Sequence, residues 1–533
     1  MLFLELGVTT ELFWPLLANV RKVIMTVFQH KKECNEMAQF VKLAGSGLQA
    51  LRRVDERLVS YNVEMTEVTG GTFWKAYTEA QVDGTEEFPK ILDWANMANL
   101  QQWYDPIDTT NPRLIKLAKE LGTAWIRVSG TWANKTYYDF DNKYEGKVPE
   151  GFQNVLTKQQ WLNLLDFVKA VDGKLLVSIA NCPGIHAADE PMPFEQADLL
   201  FRTSKEYGVP ISAAEFTNEP NLAALSGLPQ GYTAADHARD HDLFGAWLKE
   251  NYPECLFVGP CTVGDINLFG ALEGAGGGMA AGFQIVTTEQ LLGDYKSAMD
   301  VFSYHYYNGV SERGAAMGGH WPYEAILTEQ YLDVAPSCAR QYVARRDKYV
   351  PGGQMWVTES GDAGCGGNTW ASTYADVPRT LNELGAFCTI TDGVIFHNTL
   401  ASSDYGFLKH GTFLPRPNYF AVLLWNRLMG HTVYASGEEI RSGAHVYAHS
   451  RKDGQPGYAY LVINNSTEAT SVELPKKATA YVLAGEKGLR SRVMSLNGRA
   501  LVLGENDELP CLCGETVSGT VELAGGSCAF FVV

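Results

Sequence analysis

Eight short apolar runs, each followed by an amphipathic stretch, recur between residues 57 and 400, and no other feature of the chain restricts its fold as strongly. They read RLVSYNVEM, TAWIRVSG, KLLVSIAN, ISAAEFTN, CLFVGP, DVFSYHYY, QMWVTES and GVIFHNTL, separated by helical patterns such as QQWLNLLDFVKAVDG and YTAADHARDHDLFGAWLKENY. Runs that are apolar throughout belong to strands covered on both faces, and each parallel crossover needs a helix. Eight such units predict an α/β chain built on a (β/α)8 TIM barrel. The barrel is expected over residues 53–429, longer than the usual span of about 250 because of extended loops after the strands. A Rossmann sheet is excluded, since no glycine-rich phosphate turn follows the first run.

Beyond LLWNRLMGH the period changes to two, in AHVYAHSR, GYAYLVINNS, TSVELP, ATAYVLAG, RALVLG and SCAFFVV, which predicts an appended C-terminal β-sandwich over residues 430–533. Residues 1–52 form an N-terminal extension. LLANVRKVIMTVF and NEMAQFVKLAGSGLQAL have a helical period, and the segment near Phe40 is expected to add a strand to the sandwich.

With 533 residues, 46% of them hydrophobic, the chain can bury a large core, and a formal charge of −18 excludes a nucleic-acid partner, which needs a basic footprint. Twelve Trp and 25 Tyr suit stacking on flat ligands as well as packing in a core. Ten cysteines are too few and too scattered for a disulfide scaffold and read as mostly free, buried thiols. The opening MLFLELGVTTELFWPLL, with Glu5 and Glu11 and no basic segment, is a poor secretory signal, and no run reaches membrane-spanning length. The expectation is a cytoplasmic chain with no membrane partner, a secreted one being the alternative. The sequons at Asn134, Asn464 and Asn465 would matter only if it were secreted. A metal centre is not expected: only His237 and His241, in HARDH, have a helical ligand spacing, and beside Asp240 and Asp242 they read as a solvated helix face.

In a barrel the reacting side chains sit where strands end, at the C-terminal face. Glu219, in EFTNEPN, meets that condition after the fourth run and Glu359, in QMWVTES, after the seventh. Two carboxylates in one mouth point to glycosidic cleavage, one acid protonating the leaving oxygen while the other attacks the anomeric carbon. Glu219 then has to hold a proton, which desolvation and the charge of Glu359 favour. Once Glu359 is esterified, Glu219 loses its proton and activates water. Asn218 is placed to reach the sugar's 2-hydroxyl, where hydrogen bonds strengthen in the transition state. No cofactor is required.

With LVSYNVEM, WIRVSGTWANKTYYDF, EFTNEPN, SYHYYNG, WVTESGDAGCGG and DYGFL in order, the chain resembles glycoside hydrolase family 79, which includes heparanase and β-glucuronidases, over about nine-tenths of its length. The resemblance implies Glu219 as acid/base and Glu359 as nucleophile in a retaining mechanism. It implies that Tyr306 hydrogen-bonds the nucleophile and that Glu64 holds hydroxyls of the terminal sugar. It further implies that the sugar's carboxylate is met by backbone N–H groups at Cys365 and Gly366 and by the Tyr405 hydroxyl. Glycines let a backbone curl its donors around an anion, which suits SGDAGCGG to this task. Here the loop departs from the family pattern: Cys365 replaces a glycine, and the tyrosine before it is absent.

Cleavage inside a sulfated chain would need lysines and arginines along the cleft, whereas this chain is acidic, and in the long region after the first run acidic side chains outnumber lysines. The expected activity is therefore an exo-acting retaining β-glucuronidase that removes terminal β-D-glucuronic acid from glycosides or polysaccharide ends. The alternatives are an endo-β-glucuronidase of the heparanase type and a catalytically silent carbohydrate-binding barrel. A retaining barrel enzyme acting on neutral sugars would share both acids, and the loop at Gly364–Gly367 with Tyr405 separates it.

Overall fold

The computed structural model describes residues 40–89, 99–264, 279–280, 283–284, 286–293, 295–296 and 298–533. Val59–Glu64, Trp125–Ser129, Lys174–Ser178, Ile211–Glu215, Leu256–Val263, Val301–Val310, Gln354–Gly364 and Ile395–His397 pair in parallel, each with the next, and His397 returns to Tyr61 to close the barrel. All eight apolar runs are its strands. Helices between them start where short polar side chains satisfy the first free amides. Asn111 caps Pro112–Glu120, and Thr157 and Thr233 form capping boxes at Lys158–Ala170 and Ala234–Asn251.

The barrel interior has two layers. Near the strand starts Trp125, Leu176, Ala213, Val258, Val301, Trp356, Val394 and Phe396 fill it with apolar bulk. Two residues beyond Trp125, alternation turns Arg127 inward as well, nearer the strand ends. In strand seven the ladder passes from Tyr304–Val357 to His305–Glu359 and skips Thr358. That bulge re-aims the strand, so Glu359, an odd step from Trp356, also faces the lumen.

The C-terminal region is β-rich. Met429–Tyr434, His445–Arg451, Tyr458–Ile463, Cys528–Val532 and Ala478–Gly485 lie side by side in the larger sheet, with Thr470–Glu473 and Thr520–Leu523 in a smaller one. Val41, Val446, Tyr460, Val462, Val472, Leu523 and Phe531 pack together in the core of this region. Phe40–Lys42 runs parallel to Ser471–Glu473, and Ala50–Arg53 pairs with the strand that opens at Met429. Where residues 35–51 carry a helical period, the described part is strand at Phe40–Lys42 and again from Ala50, because both segments find open sheet edges there. The helical segment read at residues 16–28 lies outside the described residues.

Two other readings change. His237 and His241 are each 1% exposed and so are not a solvated face. Their helix turns them against the barrel wall, where they meet Phe216 and each other, and only its opposite side reaches water. Cys511 and Cys513 form a disulfide, while the free cysteines among the described residues are buried apart from Cys365, which is half-buried. No helix among the described residues is long and apolar enough to cross a membrane.

Candidate active site

A cavity of about 470 Å³ opens at the C-terminal ends of the barrel strands. Glu64, Asn218, Glu219, Tyr307, Glu359, Asn398 and Tyr405 line it, with Phe73, Trp74 and Trp103 contributed by a hairpin of Gly71–Trp74 and Gln101–Tyr104 after the first strand. Trp132 and Lys135 come from the second loop, and Gly364 and Cys365 from the seventh.

Glu219 and Glu359 converge: with His305 they bring one ligand atom each within 4.8 Å of one another. Their surroundings differ. Glu359 accepts from Arg127 Nη1 at 2.9 Å and from the Tyr307 hydroxyl at 2.7 Å. Burial works hardest on this carboxyl and acts to raise its pKa, but His305, Arg127 and Tyr307 together outweigh it and hold Glu359 below the usual carboxylate range. Among the described residues the Glu219 carboxyl meets only the His305 ring, 3.0 Å from its Oε1, and desolvation reinforced by the charge of Glu359 lifts its pKa. The His305 ring bridges the two carboxyls: its Nε2 lies 3.2 Å from Arg127 Nη2, and its Nδ1 lies 3.0 Å from Glu219 Oε1 and 3.5 Å from Glu359 Oε2.

Arg127 is the hub of this arrangement. It is wholly buried and reaches Glu215 at 2.9 Å, Glu359 at 2.9 Å and Asn218 Oδ1 at 2.8 Å. With its Oδ1 bound to Arg127, Asn218 has its amide orientation fixed and its Nδ2 left as the donor. Asn134 grips the acid's loop from behind, accepting from Asn218 N and donating to Asn218 O, each at 2.9 Å, so this sequon residue is a buried brace. Glu219 itself has a positive φ of 48°, which tips its side chain out of strand direction. As for a metal, Glu219, His305 and Glu359 could offer ligand atoms, but Arg127 already supplies the positive charge beside Glu359.

Of the residues read from sequence, Glu64, Asn218, Glu219, Glu359, Cys365 and Tyr405 share the cavity. Glu64 is buried, with one carboxyl oxygen lacking a partner among the described residues, and Gly130 is required opposite, since a Cβ there would lie 1.7 Å from that oxygen. Burial raises the pKa of Glu64 well above normal, and Glu359 adds to the rise. Gly366 lies just behind the lining, where a Cβ would strike Trp74 and Ser403. Its carbonyl accepts from the Ser403 hydroxyl at 2.9 Å.

Tyr306 is a correction. Its hydroxyl donates to Asn308 and its ring packs on Phe387, outside the barrel wall, while Glu359 is held by the next residue, Tyr307. Strand alternation is the reason: His305 and Tyr307 face inward, so Tyr304 and Tyr306 face the helices. Arg127, Asn134, His305, Tyr307 and Asn398 were missed. Parity along strands two and six would have found Arg127, His305 and Tyr307. Asn398, whose Nδ2 reaches the Tyr307 and Tyr405 hydroxyls at 2.8 and 3.1 Å, gives no such signal.

No protein-family model matches the chain. Among curated proteins it is 26% identical to heparanase-like protein 1 of Arabidopsis thaliana over 463 residues, covering 76% of this chain and 80% of that one. It is 25% identical to a hyaluronoglucuronidase of Hirudo nipponia over 491 residues, covering 84% and 94%. A shorter match, 28% over 233 residues, covers 41% of this chain and 42% of a baicalin-β-D-glucuronidase of Scutellaria baicalensis. Among solved structures, a 4-O-α-L-rhamnosyl-β-D-glucuronidase from Fusarium oxysporum superposes with a TM-score of 0.58 at 12% identity, over 93% of this chain and all of that one, a likeness of fold.

Proposed function

We propose that this chain, a glycoside hydrolase of the heparanase- and glucuronidase-like family 79, is an exo-acting β-glucuronidase that retains anomeric configuration. The observation that carries the reading is the unequal treatment of two adjacent carboxyls: Glu359 ionised between Arg127 and Tyr307, Glu219 biased toward its protonated form. Ligand atoms within 4.8 Å suit direct attack on the sugar, because an inverting pair needs about 6.5–9.5 Å to admit water. In the first step Glu359 forms an ester at the anomeric carbon as Glu219 gives its proton to the departing oxygen. The ester removes the negative charge beside Glu219, which then takes a proton from the water that attacks the same carbon, and Glu359 leaves as carboxylate.

For the terminal sugar, Asn218 Nδ2 would serve the 2-hydroxyl and the Glu64 carboxyl, which lines the cavity, would meet another hydroxyl. The N–H groups of Cys365 and Gly366, with Tyr405, would hold the carboxylate. Neither amide has a hydrogen-bond acceptor among the described residues, and both residues sit at positive φ, 64° and 85°. Lys135 is the one lysine or arginine lining the cavity among the described residues, which favours a single acidic sugar over a polyanion. The test is a series of β-glucuronides of increasing length, with the anomer released followed by NMR. Release of internal oligosaccharides without action on aryl glucuronides would establish the endo reading that the heparanase-like relatives suggest, and an inverted product would overturn the mechanism. Relatives named inactive heparanase-2 make a silent barrel the other outcome to watch for.

A further inference from the structure

The glycine loop after strand seven is held by a residue that never reaches the cavity. Arg313 lies on the turn Glu312–Met317 after strand six and is 2% exposed. Its Nη1 donates to the carbonyls of Cys365 at 3.1 Å and Gly367 at 3.0 Å, and its Nη2 donates to Lys75 O at 2.5 Å and Asp404 Oδ2 at 2.6 Å. The guanidinium lies 3.7 Å from the centre of the Tyr77 ring, whose hydroxyl donates to Gly367 O at 2.9 Å. Ser311 adds a bond to Cys365 O at 3.0 Å, and Asp404 N reaches Gly366 O at 3.3 Å. All three carbonyls of Cys365, Gly366 and Gly367 are thus drawn into the protein, and one planar cation ties the loops after strands one, seven and eight together.

A peptide whose carbonyl is fixed on one side presents its N–H on the other. Arg313, through the Cys365 carbonyl, therefore determines where the unpartnered Gly366 amide points, while the Cys365 amide is set by the Gly364 carbonyl, which accepts from Ser311 N at 3.1 Å beside it. We infer that Arg313 is the positioning residue for recognition of an anionic group on the substrate: it touches no substrate, but it turns a glycine loop into a carboxylate cradle. Lysine is a poor replacement, since a point charge cannot span four acceptors in a plane. The inference rests on the glucuronide reading of the same cavity and adds to it the residue that makes the cavity selective for acid over neutral sugars.

The experiment compares 4-nitrophenyl β-glucuronide with 4-nitrophenyl β-glucoside in the wild type, Arg313→Lys and Arg313→Gln, together with inhibition by free glucuronate. The expected result is a rise of about tenfold or more in KM for the glucuronide and in the glucuronate inhibition constant, kcat changing much less. The preference for glucuronide over glucoside falls by the same factor, least in Arg313→Lys. If Arg313→Gln does not fold because Asp404 is left unpaired, Arg313→Gln with Asp404→Asn carries the measurement. A folded variant that loses both substrates equally, or keeps the preference, overturns the inference. A wild type that already treats the two sugars alike removes the glucuronide premise and the inference with it, a failure recognisable before any variant is made.

Discussion

The two ends of the barrel interior are equally buried and obey opposite rules. At the strand starts Trp356 is 2% exposed among Trp125, Leu176, Val258 and Phe396; at the strand ends Arg127 is 0% and Glu359 4% exposed among His305, Glu215 and Asn218. The lower end gains from every apolar surface removed from water, and a change there costs what packing costs. The upper end pays for desolvating charge and offsets that cost through Arg127, whose donors meet Glu215, Glu359, Asn218 and His305. The same inward alternation builds both, so stability and reactivity are separated by two residues of strand, Trp125 to Arg127.

The comparison implies that the ends can be broken independently. Glu359→Gln should lower kcat by about 10⁴-fold or more, since in the proposed mechanism it removes the attacking atom while keeping the shape, with little change in Tm. Trp356→Ala should do the reverse, costing about 3–5 kcal/mol in urea unfolding while the folded fraction keeps its kcat/KM. If Trp356→Ala instead abolished turnover in folded protein, the separation of the two layers would be wrong.

Tyr307→Phe and Tyr306→Phe sharpen the boundary further. Tyr307 stabilises the ionised form of Glu359, so its loss should reduce kcat/KM by about 10- to 100-fold, the worth of one charge-assisted hydrogen bond. It should also move the acid limb of the pH profile upward, because activity requires Glu359 ionised and its pKa will have risen. Tyr306→Phe should leave that limb in place, since its hydroxyl faces Asn308. Equal effects of the two substitutions would contradict the assignment.

These cases show what was legible in the sequence. The barrel was, because eight runs buried on both faces have few other solutions, and Glu219 and Glu359 were, because strand ends are where a barrel presents side chains. Which tyrosine of YHYY faces inward was not read correctly, although Val301 and His305 in the same strand carry the parity. The bulge at Thr358 was beyond reach: one skipped residue is set by pairing with strands six and eight, and nothing in QMWVTES marks it. The loop residues Asn134 and Arg313 act through backbone carbonyls and amides distant in sequence, which composition and periodicity do not register.

The rule that buried polar groups must be met has its clearest exception outside the lumen, and it gives the smallest of the effects. The ring nitrogens of His237 and His241 have no partner among the described residues, and Phe216, Phe257 and Tyr295 surround them. Burial lowers the pKa of both, that of His241 to about 3, and for His237 the neighbouring imidazole adds to the fall. Both rings are therefore neutral in the folded chain across the range where free histidine, with a pKa of about 6.5, gains a proton. As pH drops below that value the unfolded state binds protons that the folded state does not, so stability falls with pH. From pH 7.5 to pH 5 each ring should cost about 2 kcal/mol. His241→Leu should flatten the dependence by that amount, read as the difference between urea unfolding curves at the two pH values. The dependence should stay as steep as in the wild type only if a protonated ring is accommodated in the fold, and in that case the barrel would tolerate a buried charge with no hydrogen-bond partner among the described residues.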